Sequence, residues 1–85
     1  MNIENIFNQL ENLENDVSIS NIEFVDDDYT CKENIRGIKH LKERISNELI
    51  EFENIRLSID SIKNNLHILK VLTNNNVSRF LIETK

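Results

Sequence analysis

Apolar residues recur at helical spacing from Ile38 to Leu69. In heptad terms Ile38, Ile45, Phe52, Ile59 and Leu66 occupy a positions, and Leu41, Ile55, Ile62 and Leu69 occupy d positions. Nine of the ten seam places are therefore apolar, the exception being Glu48 at d. Such a repeat predicts a long helix with one face set against another helix. Its length from about 31 to 73 corresponds to about 60 Å at 1.5 Å per residue.

A shorter helical period covers residues 3–15. Ile3, Ile6, Phe7, Leu10 and Leu13 share one face, and Glu4, Gln9, Glu11 and Glu14 the other. Asn2 is placed to cap this helix, and Glu4 lies in the first turn, where the helix dipole favours an acid. At three to four turns it needs something to pack on.

The helical period fails across the connector, residues 16–29. Val17, Ser18, Ile19 and Ser20 alternate, and Ile22 and Phe24 continue on the other parity. This suits either an extended strand-like segment or a connection that tucks its apolar side chains under the helices. With no second strand candidate recognised, a sheet would need a partner chain, and the segment reads as an ordered connector. Thr30 and Glu33 then have the spacing of a capping box that opens the long helix. Gly37 falls in that helix's second turn, at a cost of up to about 1 kcal/mol relative to Ala.

Asn74, Asn75 and Asn76 break the helical pattern, after which Val77, Phe80 and Leu81 form the apolar face of a short terminal helix, about 77–84. The alternative is a helix that continues with a polar layer at Thr73 and Asn76, since the heptad register reaches Phe80 at an a position. The expected fold is all-α: a short helix, a connector and one long heptad-bearing helix, forming a helical hairpin or coiled-coil bundle that self-associates. The chain reads as one small helical domain.

The seam mixes Ile, Leu and Phe over a and d, which departs from the Ile-at-a, Leu-at-d rule of parallel dimers and favours three or more helices in cross-section. Ile50, Leu57, Ile68 and Val71, on c and f positions, form a weaker second stripe that another helix would cover. Glu48 is either relieved by Arg44 and Leu49 nearby, or is a buried charge that sets register or partner. Lys42, Arg44, Arg56, Lys63 and Lys70 make the e and g positions mainly basic, which suits an acidic neighbour such as the first helix.

Length and charge sharpen this picture. A chain of 85 residues buries only about 60–65% of its unfolded surface and usually needs a staple or a partner. The lone Cys31 cannot form an internal disulfide, and His40 and His67 have no second ligand at helical spacing, so no metal or other cofactor is expected. Association is the staple that remains. The net charge of −5, with acids interleaved among the bases, argues against nucleic acid as partner. No apolar run is long enough to span a membrane, the first residues lack the pattern of a signal peptide, and a reducing, cytoplasmic setting is expected. Heavy use of Asn, Ile and Lys fits an A+T-rich genome.

Asp26, Asp27 and Asp28 fail as a calcium loop, because Cys31 and Gly37 stand where Gly and Glu are required. A single glycine rules out a glycine-rich phosphate loop, and Ser, Cys and His show no spacing that pairs a nucleophile with a base. No enzyme is expected. The function predicted from sequence is a helical protein–protein interaction module that binds itself or another helical protein through the seam. The alternative is a small acidic regulator or inhibitor, phage- or virus-encoded, that inserts its amphipathic helix into a host protein.

Overall fold

In the computed structural model the chain forms a five-stranded antiparallel sheet with two helices on one face. The structure describes residues 3–16, 18–26, 29, 32–51, 55–73 and 76–85, excluding the side chains of 49–51. In chain order the elements are α1 (Ile3–Asp16), β1 (Ile19–Val25), β2 (Lys32–Ile35), α2 (Ile38–Glu51), β3 (Arg56–Lys63), β4 (Leu66–Leu72) and β5 (Val77–Thr84). Across the sheet the order is β2-β1-β5-β4-β3. β5 lies at the centre and joins the β1–β2 pair to the β3–β4 hairpin.

This overturns the all-α coiled-coil bundle. The supposed connector holds β1, the supposed long helix resolves into β2, α2, β3 and β4, and the supposed terminal helix is β5. Among the described residues, helical structure in the seam region is confined to α2, and the side chains of β3 and β4 explain why those segments are not helical. Residues 56–63 place β-branched Ile among serines, a poor helix composition and a good strand one. Leu57 and Ile59 alternate with Ser58 and Asp60, while β4 is apolar on both faces, so a 3-4 spacing finds apolar residues there by default.

Asn64 and Asn65 form the turn of the β3–β4 hairpin, and the Asn65 carbonyl accepts the Thr84 amide at 2.9 Å. At the next hairpin the Thr73 amide donates to the Asn76 carbonyl at 3.0 Å. Asparagine marks both chain reversals because its short polar side chain competes with regular backbone pairing. Glu33 is a β2 residue, so it does not cap a helix; Thr30, Asn2 and Cys31 lie outside the described residues.

One face of the sheet, here the inner face, is covered by helices. Ile22, Phe24, Ile35, Leu69, Val71, Phe80 and Ile82 point to it and are all buried. Ile6 and Leu10 of α1 and Ile38, Leu41 and Ile45 of α2 meet them, with Ile3, Phe7 and Leu13 half-buried at the margin. Each helix is amphipathic and too short to persist alone, and the sheet supplies the missing apolar surface. The rings of Phe24 and Phe80, on adjacent strands, lie 5.2 Å apart and tilted by 57°, within the preferred range for aromatic pairs.

Two cations beside the apolar stripe of α2 tie it sideways. Lys42 pairs with Glu11 of α1 and lies over the Phe7 ring. Arg44 bonds Glu33 at 2.6 Å and stacks over Phe24, with its guanidinium carbon 4.7 Å from the ring centre. Glu48, also on α2, is half-exposed and engaged with a partner.

Gly37 accepts the first helical bond of α2, from the Leu41 amide at 3.0 Å, and has φ +149°. That backbone conformation is strained for any residue with a Cβ, although a Cβ built at Gly37 would meet nothing within 4 Å. Gly37→Ala should therefore cost about 1–3 kcal/mol in urea unfolding, and Gly37→Leu about the same, since the backbone alone sets the penalty. A neutral Gly37→Ala would contradict this geometry. Inner and outer faces should differ as sharply: Phe80→Ala should cost about 3–5 kcal/mol, and Leu81→Ala, one residue on and on the other face, about 1 kcal/mol or less.

Candidate interaction face

Because strand side chains alternate, the residues between the buried inner ones form the outer face. Leu66, Ile68, Leu72, Val77 and Leu81 point there, all half-buried and none part of the core beneath the helices. No described element packs over them: α1 packs on α2 and β3, and α2 packs on β2, all on the inner side. Ile62, beside the irregularity between Ser61 and Lys63, is 54% exposed. Among the described residues these apolar side chains have no element packed over them, whereas Val25, on the same face, is buried.

The strand register sorts the outer face into rows. One row runs Asp60, Ile68, Leu81, Glu23, Asn34, with acids flanking a central apolar pair. The adjacent row runs Ser58, Lys70, Arg79, Val25, Lys32 and is basic. Lys70 and Arg79 stand directly opposite each other on neighbouring strands, an arrangement that costs stability unless something acidic approaches. Lys70 lies 3.9 Å from Asp60, a loose and exposed pair.

Arg79 has a buried Nη1 with no hydrogen-bond partner among the described residues, which is expensive for a charged group. The Tyr29 ring covers its guanidinium at 5.3 Å. Tyr29 is held there by a turn in which its amide donates to the Asp26 carbonyl at 3.2 Å, at φ 61°, an uncommon conformation for a bulky residue. The ring itself is 58% exposed. The corner of the outer face near Tyr29 therefore presents a cation and an aromatic ring together.

The residues singled out by the heptad are distributed differently from a single exposed seam. Ile38, Leu41, Ile45, Ile55 and Leu69 are brought together in the chain's own core, with Ile59 packed against it. Leu66 and Ile62 are not with them, since Leu66 belongs to the outer face and Ile62 is exposed. Phe52 lies outside the described residues. Of the second stripe, Leu57 and Val71 join the core, Ile68 faces outward, and the Ile50 side chain is not described. Leu81, expected on a terminal helix with Phe80, instead faces away from it across the sheet, and Arg79 is added to the face; alternation of Val77, Arg79, Leu81 and Glu83 with Ser78, Phe80, Ile82 and Thr84 carries the signal.

Two other places bring polar side chains together. Ser61 Oγ lies 2.8 Å from His67 Nδ1 across the β3–β4 pair, a nucleophile beside a base. Among the described residues, Ser61 is the only polar partner of the ring, so no third group orients it as a catalytic base requires. An open groove of about 660 Å³ beside the start of α2 is lined by Glu33, Arg36, Lys39, His40 and Glu43, and the Arg36 amide donates to His40 Nδ1 at 3.2 Å. Its mixed charges aim at no common ligand. The described residues hold no group of three potential metal ligands, and none of the described helices is long and apolar enough to cross a membrane.

Comparison with protein-family models, with curated proteins and with solved structures found no match. The outer face is thus the strongest candidate on physical grounds alone. At low micromolar concentration the folded protein should enhance the fluorescence of an anionic naphthalene dye, which reports exposed apolar surface. Leu81→Glu with Ile68→Glu should lower that response several-fold with unchanged circular dichroism; an unaltered response would place the apolar surface elsewhere.

Proposed function

We propose that this chain is a non-enzymatic interaction module whose contact surface is the outer face of its sheet. The observation that carries the reading is the row of half-buried Leu, Ile and Val side chains with no covering element among the described residues. Apolar patches flanked by charged residues are characteristic of protein interfaces. The heptad residues of α2 are engaged in the chain's own core, so the contact shifts from a helical seam to the sheet.

The rim supports the same reading. Charged rows of both signs border the apolar pair Ile68 and Leu81, giving a surface able to orient a partner as well as hold it. Arg79 and Tyr29 add the residue types most enriched where binding energy concentrates.

The test is co-purification from cells that express a tagged chain and an untagged copy. Wild type should retain the untagged copy or another protein, and Leu81→Glu, with its fold verified by circular dichroism, should lose whatever wild type retains. Equal retention by the two baits would overturn the reading.

A further inference from the structure

We infer that the partner of the outer face is a second copy of this chain, packed face to face about a two-fold axis that runs across the strands. The inference rests on the sheet-face reading and adds the occupant. The face carries its own complement: the basic row with Lys70 and Arg79 lies directly beside the row with Asp60 and Glu23. A two-fold axis between these rows lays each basic row over the other copy's apolar and acidic row. Arg79 then approaches the second copy's Glu23, and Lys70 the second copy's Asp60. Ile68 and Leu81 meet the stems of those cations and the apolar side chains of the opposing sheet.

This arrangement answers an otherwise unfavourable feature. Lys70 and Arg79, opposed on neighbouring strands, gain carboxylates from across the interface. The charge of −5 does not oppose it strongly, because Glu4, Glu11 and Glu14 are exposed on α1, on the other side of the sheet. Stacked sheets about 10 Å apart with strands within about 30° of each other are a standard packing. Five strands about 4.8 Å apart and up to eight residues long offer roughly 500 Å² in plan. With side-chain relief this approaches the roughly 800 Å² per partner of an ordinary interface.

The test is sedimentation equilibrium of the full chain from about 1 µM to 1 mM, the range in which a modest interface of this size associates. Wild type should move from 10.0 kDa toward twice that mass. Arg79→Glu and Glu23→Arg should each weaken the dimer at least tenfold, since each sets like charges together at both symmetry-related contacts. Mixed in equal amounts, the two variants should recover the dimer, because opposite charges then meet at both contacts. If either reversal fails to fold, Arg79→Gln and Glu23→Gln should each weaken the dimer to a smaller degree. A wild type that stays monomeric throughout, a dimer indifferent to both reversals, or a mixture that does not recover would each overturn the inference. Leu81-dependent retention of another protein by the tagged chain would then show that the sheet-face reading survives without self-docking; loss of both would end the two together.

Discussion

One-sided burial is the constraint on which this structure depends. A five-stranded sheet has two faces, and the described helices, each of 14 residues, cover one of them. Burying Phe80, Leu69, Ile82 and Val71 beneath Ile6, Leu10, Leu41 and Ile45 fixes the strand register, because a slip of one residue would turn every core side chain outward. That register in turn decides which residues are stranded on the far side. The outer rows of charge and Leu are therefore a by-product of the core's own geometry as much as a surface in their own right.

The cross-links around α2 follow from the same constraint. A helix lying on a sheet is held across its axis by side chains at its flanks. Lys42 reaches α1 on one side and Arg44 reaches β1 and β2 on the other. Both interactions combine an ion pair with an aromatic ring, so each cation is positioned by a flat apolar surface as well as by a charge. The partly exposed ion pairs contribute modestly to stability and more to orientation.

Part of this was legible in the sequence. The helical period of residues 3–15 coincides with α1, and the alternation about Ile19 and Ile22, within the expected connector, coincides with β1. The heptad misled where it crossed into β3 and β4, because a strand apolar on both faces satisfies a 3-4 spacing as readily as a 2-residue one. Asn64–Asn65 inside the supposed helix was the contrary signal: two adjacent poor helix formers between Ile-rich runs specify a hairpin better than a helix. The outer face was obscured for a related reason. Arg79 and Lys70 look like scattered surface charges until the register sets them opposite each other, and register depends on pairings that are distant in sequence.

The position of β5 has a consequence for how the protein is made. Ile82 pairs with Ile22, so the sheet's centre joins residues 82 − 22 = 60 positions apart. Pairing over such distances is slow to form, because loop-closure entropy is lost before any contact compensates it. During synthesis the β1–β2 pair and the β3–β4 hairpin both emerge before the strand that unites them. Until β5 arrives, β1 and β4 each present an unpaired edge of backbone amides and carbonyls, a template for pairing with any other nascent chain. On the ribosome, the strand that lies innermost in the finished sheet is thus the one whose late arrival leaves the nascent protein most exposed to chaperones and to aggregation.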